Sequence, residues 1–198
     1  MKTYTIKKGR TDWSPKEPLQ IFSNFKELVW EVSPDDSMIF DYNHDGKVDQ
    51  DWNDWKKIGG ISLADPLFCI LNLFLKSRDS IQLGWRWNVD LQVFEFVVYV
   101  NRKSKFLPYG RPDQILRCDK NAQVVFKIIR ESGRQYRALL YLKEGGPEDI
   151  NEFVIEPRKR FTLYSRIGLW YGGSNNAQGP YGGRAPKEMK VGVGFTKK

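Results

Sequence analysis

Residues 80–100 read SIQLGWRWNVDLQVFEFVVYV, two alternating runs joined by a short polar segment, and they decide the fold class. Every second position of the first run carries a large apolar side chain: Ile81, Leu83, Trp85 and Trp87. The positions between them are polar or small: Gln82, Gly84, Arg86 and Asn88. Because successive side chains of a strand point to opposite faces, the alternation predicts one apolar and one polar face. The second run, 92–100, follows at hairpin spacing, which predicts an antiparallel pair.

Runs rich in β-branched and aromatic residues recur along the chain, separated by Gly, Pro, Asn and Asp clusters. We assign candidate strands at 4–8, 27–32, 37–41, 66–75, 80–87, 92–100, 114–119, 122–131, 134–143, 150–156, 161–171 and 188–195. This many strands favour two packed antiparallel sheets, because twist and edge exposure limit a single open sheet. We therefore predict an all-β fold, one sandwich or jelly-roll domain over residues 1–198, with one short helix at 48–58.

Composition and charge narrow the function classes. No run reaches the roughly 18 apolar residues of a membrane helix, because Asn72 interrupts the longest one at 66–75, so we expect no membrane insertion. The N-terminal residues lack the apolar segment of a secretory signal, and we expect the protein to stay in the cytoplasm of the producing cell. The net charge of +8 favours an anionic partner. The basic clusters at 102–105 and 156–160 are scattered, so nucleic acid is not expected.

The acidic segment DYNHDGKVD at 41–49 matches the start of a calcium-binding loop. We assign its ligands as Asp41, Asn43, Asp45, the carbonyl oxygen of Lys47, and Asp49. Gly46 stands where such a loop turns sharply, but Trp52 occupies the position that usually carries a bidentate acid. The prediction is a structural calcium ion; the alternative is an Asn/Asp-rich turn without an ion.

The polar positions of the hairpin carry Gln82 and Arg86 on one strand and Glu95 and Tyr99 on the other. We expect Arg86 to lie close to Glu95 across the strand pair. Amide, guanidinium and carboxylate groups can hydrogen-bond sugar hydroxyls, so this row is a candidate sugar-binding surface. The alternative is a plain exposed sheet face with one cross-strand ion pair.

Three segments occur in an order that resembles the concanavalin A-like jelly-roll superfamily: SIQLGWRWN, FEFVVYVNRKSKF and LWYGGSNNAQGPYGGRAPKEMKVGVGF. The resemblance is strongest to uncharacterised small members from gut bacteria and their tailed phages. Tyr171 and the two glycines after it match the loop of that group, and Ala185, Pro186 and Met189 match the approach to its last strand. The resemblance implies a jelly-roll fold and a virion context.

The glycine-rich segment after residue 171 contributes further candidate ligand residues. Trp170 and Tyr171 supply rings that either pack beneath this loop or meet a ligand. If the loop contacts a partner, Asn175, Asn176 and Arg184 are its polar contacts.

A catalytic set is difficult to assemble from the sequence. The strand at 92–100 offers only Glu95, where glycosidases need paired carboxylates, and the single histidine, His44, lies in the acidic segment. For a lyase the nearest candidates are Gln82, Arg86 and Tyr99, without the usual R-x-E-x-R strand. We therefore expect a non-catalytic recognition or assembly protein. The resemblance implies that it is a phage head decoration, head fibre or tail component, in an oligomer or assembly, which binds other virion proteins or a cell-surface glycan. The alternatives are a free lectin-like module and a polysaccharide lyase.

Overall fold

A computed structural model describes residues 1–18, 20–40, 55–64, 79–102, 105–107, 114–131, 135–145, 151–156, 163–171 and 183–198. Within these ranges the chain forms two antiparallel sheets packed into a sandwich, which confirms the predicted all-β fold. No helix in the described part of the chain is long and apolar enough to cross a membrane.

The described strands, in chain order, are β1 (Lys2–Ile6), β2 (Ile21–Phe22), β3 (Glu27–Pro34), β4 (Lys56–Ala64), β5 (Asp79–Asn88), β6 (Val93–Arg102), β7 (Lys105–Leu107), β8 (Leu116–Cys118), β9 (Val124–Arg130), β10 (Tyr136–Leu142), β11 (Asn151–Ile155), β12 (Leu163–Ile167) and β13 (Met189–Lys197). Sheet A has the order β1-β13-β3-β9-β10-β11. Sheet B has the order β2-β12-β4-β5-β6-β7, and β8 also pairs with β6.

The core lies between the sheets and is built from the alternate apolar positions of each strand. Trp30 and Phe126 of sheet A lie with ring centroids 5.4 Å apart, and Trp85 and Phe94 of sheet B lie 6.3 Å apart. All four side chains are fully buried. Burial of side chains of this size contributes on the order of 1.5–3 kcal/mol each, so the aromatic alternation stabilises the sandwich.

The β5–β6 hairpin fixes which side chains share a face. Gln82 pairs with Tyr99 and Arg86 pairs with Glu95, as the sequence alternation predicts. The connection turns at Gln92, whose φ of 54° is left-handed. In this register the apolar side chains lie on the core side of sheet B and the polar side chains lie on its other side.

Two sequence predictions differ from the structure. The predicted strand at 37–41 instead contains a 3₁₀ turn at Asp36–Met38, because the Asp35 side chain accepts a hydrogen bond from the Ser37 N–H (2.9 Å) and caps it. In the predicted helix at 48–58, the last three residues belong to β4, and residues 48–54 lie outside the described part of the chain. The predicted strand at 66–75 also lies outside it.

A bulge interrupts the two-residue period of β4. The pairing of β4 with β5 shifts by one residue between Lys57 and Gly59, so Ile58 and Ile61 both reach the core although they are three residues apart. Three-residue apolar spacing is typical of a helix, whereas an unbroken strand has a period of two.

Candidate active site

Polar side chains cover the side of sheet B that faces away from the core, which we call the polar face. Its described members include Lys57, Ser62, Ser80, Gln82, Arg86, Glu95, Tyr99, Asn101 and Arg117. Several of them are nearly inaccessible to water, among them Lys57, Ser80, Gln82 and Glu95. Buried polar groups are stable only with hydrogen-bond or charge partners, so their arrangement is specific.

Lys57 and Tyr99 meet near the middle of the polar face. Lys57 lies on β4 and Tyr99 on β6, and the central strand β5 separates them. The Lys57 Nζ atom stands 4.1 Å from the centre of the Tyr99 ring, well within the range of a cation–π contact. The Lys57 ammonium also donates a hydrogen bond to the carbonyl oxygen of Trp55. An amine and a phenol, two groups that can exchange protons, are therefore held together.

Gly84 on β5 makes this approach possible. It is paired with Lys57 on one side and with Val97 on the other, so it lies between the two strands. A Cβ atom at this position would lie 3.0 Å from Val97 Cγ1 and 3.5 Å from Tyr99 Cβ. Because glycine has no side chain, the Lys57 side chain can cross β5 to reach Tyr99.

Gln82 lies beside Tyr99 and is held by a small hydrogen-bond network. Its Nε2 donates to Ser80 Oγ at 2.6 Å, and Asn101 Nδ2 donates to the same oxygen at 3.1 Å. The Ser80 side chain is fully buried, so this network fixes the Gln82 amide next to the Lys57–Tyr99 pair.

Glu95 organises the other end of the polar face. Its carboxylate, 1% exposed, accepts from Arg86 Nε at 2.7 Å, Arg117 Nε at 3.0 Å and Asn88 Nδ2 at 3.1 Å. Burial alone would raise the pKa of Glu95, but the hydrogen bond and charge of Arg86, with Asn88 and Arg117, hold it below its usual value. Glu95 is therefore an ionised, enclosed carboxylate that orients two arginines, and it is not suited to act as an acid.

Two tryptophans border this set. The Arg86 guanidinium lies 4.4 Å from the Trp55 ring centre, within the range of a cation–π contact. Trp170, 41% exposed, pairs with Lys57 through two backbone hydrogen bonds of 2.9 and 3.1 Å. Residues paired across neighbouring strands share a face, so Trp170 belongs to the edge of the polar face.

Of the remaining predicted ligand residues, the structure describes Tyr171 and Arg184. Tyr171 is fully buried in the core, with its ring 6.3 Å from that of Trp85, so packing accounts for it and the ligand role was wrong. Arg184 is exposed, and its neighbour Ala185 hydrogen-bonds with the backbone of Gly9 and Arg10. Asn175 and Asn176 lie outside the described residues.

The predicted calcium ligands also lie outside the described residues: Asp41, Asn43, Asp45, Lys47 and Asp49. Among the residues that are described, no group of three or more His, Cys, Asp or Glu side chains is arranged to hold a metal ion. Calcium binding stays a prediction from the sequence.

The sequence analysis missed Lys57 and Arg117. Lys57 was assigned to a short helix, because acidic residues at 49 and 51 resemble the first turn of a helix. The strand that carries Arg117 was predicted at 114–119, but its pairing with β6 was not, because the two strands are separated by a long connection. The alternation of Leu116 and Cys118 around Arg117 was the available signal.

The structure is similar to solved structures of alginate lyase. In the first, a lysine and a tyrosine are replaced by alanine, and alginate tetrasaccharide is bound. The alignment covers 98% of this chain and 78% of the lyase, with a TM-score of 0.55 and 13% sequence identity. In another, a lysine and a methionine are replaced by alanine, and alginate trisaccharide is bound. That alignment covers 99% of this chain and 81% of the lyase, with a TM-score of 0.55 and 14% sequence identity. No protein-family model matches the chain, and no curated protein matches it in sequence.

At this identity the similarity shows a shared fold, a jelly-roll sandwich of two antiparallel sheets. The comparisons overturn the expected role as a non-catalytic virion component, because the structures that share the fold are lyases and no match supports a virion. The gut-bacterial and phage part of the resemblance, with the virion partners, gains no support from them.

Proposed function

We propose that this protein is a lyase that cleaves a uronate-containing polysaccharide by β-elimination. The observation that carries the proposal is the approach of Lys57 Nζ to the Tyr99 ring, 4.1 Å from its centre, between Gln82 and Arg86 on the polar face. The alginate lyases of the same fold support the reaction class.

Elimination from a uronate needs three groups. A base takes the proton at carbon 5, the electron pair of that C–H bond forms a double bond between carbons 4 and 5, and the bond from carbon 4 to the glycosidic oxygen breaks. The leaving oxygen takes a proton from an acid. A third group must bind the carboxylate at carbon 5, because negative charge develops next to it.

The polar face supplies one residue type for each requirement. Lys57 and Tyr99 carry the amine and the hydroxyl that transfer the protons. Gln82 is held beside them by Ser80 and offers its amide to the carboxylate. Arg86 adds a positive charge one row further along β5, about 7 Å from Gly84.

Charge on this face favours an acidic chain. Lys57, Arg86 and Arg117 contribute three positive charges against the single negative charge of Glu95. The whole protein is also basic, with a net charge of +8. Such a field attracts polyanions and raises their encounter rate at low ionic strength.

The test measures the ultraviolet absorbance of unsaturated products from alginate, pectate and glycosaminoglycans. We expect the wild-type protein to cleave at least one of them. Tyr99→Phe removes only the hydroxyl and keeps the ring that faces Lys57, and Lys57→Met removes the amine and keeps an apolar chain of similar length. Each should lower kcat about 100-fold or more, the usual contribution of a proton-transfer group.

A matched control is Tyr141→Phe, since Tyr141 is a half-buried tyrosine of β10 in the other sheet. It should leave kcat unchanged, and melting curves confirm that all variants fold. Wild-type protein that yields no unsaturated product from any of these polymers, or a Tyr99→Phe variant with full kcat, would refute the proposal.

The exposed Trp170 favours a second candidate function, glycan binding without cleavage. A tryptophan ring at the edge of a polar face is suited to stack on a sugar ring. A glycan array in which the wild-type protein binds and the Trp170→Ala variant does not, with no unsaturated product, would support this candidate.

Calcium binding is proposed from the sequence of residues 41–49 alone. An ion that binds only the folded protein raises its stability with concentration. We expect the melting temperature to rise with added calcium and fall with chelator; an unchanged midpoint in both would refute the ion.

A further inference from the structure

We propose that Arg117, oriented by the enclosed carboxylate of Glu95, forms a second carboxylate-binding site for the same polysaccharide chain, away from the bond that is cleaved. The inference rests on the proposed lyase function and narrows its substrate to a chain that carries carboxylates on more than one sugar.

The site is built before any ligand arrives. Both arginines direct their Nε atoms to one carboxylate, Arg86 at 2.7 Å and Arg117 at 3.0 Å. Besides its Nε–H, an arginine has four N–H donors on its two terminal nitrogens, and those of Arg117 can bind a second carboxylate while its Nε stays on Glu95. The Trp55 ring also restrains Arg86. The arginines therefore need little further ordering to bind an anion.

Arg117 is accessible to a polymer. Its side chain is 43% exposed, whereas the carboxylate that orients it is 1% exposed. The cluster of two arginines and one glutamate has a net charge of +1, since two positive charges face one negative charge. An arginine that served only to neutralise Glu95 would be redundant, because Arg86 and Asn88 already hydrogen-bond this carboxylate.

The position along the strand separates this cluster from the proposed reaction centre. Glu95 and Tyr99 lie four residues apart on the same face of β6, which corresponds to about 13 Å. This distance is longer than one sugar ring. A chain whose scissile bond lies at Lys57 and Tyr99 would therefore present a different sugar to Arg117.

Carboxylate is the ligand chemistry that the site fits best. Arginine binds planar anions through two parallel hydrogen bonds, and a polyuronate carries one such anion on each sugar. A neutral polysaccharide offers Arg117 no carboxylate beyond that of Glu95. We therefore expect polymers that carry uronates at repeated positions to be preferred over neutral polymers.

The test compares the wild type with Arg117→Ala and Arg117→Gln on oligouronates of increasing length. We expect the wild type to show a falling KM as the oligomer grows long enough to reach Arg117. Both variants should lose this length dependence, with KM on long chains raised about tenfold, which corresponds to about 1.4 kcal/mol. Because Arg117 lies away from the reaction centre, kcat at saturation should change less than twofold.

Arg137→Ala is the matched control. Arg137 has a similar exposure, 39%, and is ion-paired with Glu131 at 2.6 Å on sheet A. It should leave KM and its length dependence unchanged. A KM in the Arg117 variants equal to that of the wild type at every oligomer length would overturn the inference while the lyase function stands.

Calorimetric titration separates the two proposals if the wild type cleaves nothing. Uncleaved oligouronates that bind the wild type at least about tenfold more tightly than Arg117→Ala would keep the carboxylate site and refute the lyase. Equal affinity of the two proteins, or absence of binding to both, would overturn the carboxylate site.

Discussion

The outer faces of the two sheets follow the same strand alternation but differ in how far their ion-paired side chains are exposed to water. On sheet A, Lys143 pairs with Glu31 at 2.9 Å while both side chains stay 39–46% exposed. On sheet B, Glu95 pairs with two arginines while its side chain is only 1% exposed. One face carries solvated ion pairs, and the other carries an enclosed polar network.

The difference indicates which face is specialised. Solvated ion pairs contribute about 0–1 kcal/mol and tolerate change, so they reveal little about function. An enclosed charge costs several kcal/mol of desolvation, which its partners must offset, and apolar side chains could have filled the same space. On sheet B, oriented polar groups therefore occupy space that apolar side chains could have filled, and this is typical of functional sites.

Glu95→Ala should have the largest effect on stability. It leaves Arg86, which is mostly buried, without the carboxylate that neutralises it, and such a loss costs about 3–5 kcal/mol. Urea denaturation of the variant and the wild type measures the change in the free energy of unfolding. A loss under about 1 kcal/mol would mean that Glu95 behaves like the ion pairs of sheet A.

The same contrast should appear as a function of pH. The pKa of Glu95 in the folded chain lies below its ordinary value of 4.5, so ionised Glu95 stabilises the fold. This contribution is complete above pH 4.5 and is lost as the pH falls through the lower, folded pKa. The difference in unfolding free energy between wild type and Glu95→Gln should therefore be constant at neutral pH and should narrow in acid. A difference that widens in acid would contradict the shift.

Gly84→Ala should have an intermediate effect that is specific to sheet B. The new methyl group would meet Val97 Cγ1 at 3.0 Å and the Cβ of Trp55 at 3.4 Å, and such overpacking costs about 1–3 kcal/mol. It would also obstruct the path of the Lys57 side chain to Tyr99. We therefore expect the activation free energy calculated from kcat to rise by more than the free energy of unfolding falls. Gly168→Ala is the control, because a Cβ there has no heavy atom within 4 Å.

Glu31→Gln on sheet A should have the smallest effect. It removes one charge from a solvated pair, so the free energy of unfolding should fall by about 1 kcal/mol or less. Urea denaturation beside Glu95→Ala gives the comparison directly. A cost similar to that of Glu95→Ala would remove the contrast between the two outer faces.

Local alternation was sufficient to predict most of the fold. The β5–β6 hairpin has strict two-residue periodicity and a short turn, so its register and the Arg86–Glu95 pair follow from the sequence. The burial of Glu95 did not, because alternation assigns it to an outer face and outer faces usually meet water. Lys57 was missed because the acidic residues before it favoured a helix over a strand, and Arg117 was missed because the partner of its strand, β6, is distant in the chain.

The backbone pairing of Trp170 with Lys57 has a mechanical consequence. The N–H and the carbonyl of Lys57 are both bonded to Trp170, and each residue is thereby clamped to the other. The exposed indole of Trp170 therefore keeps a fixed position beside the backbone of Lys57.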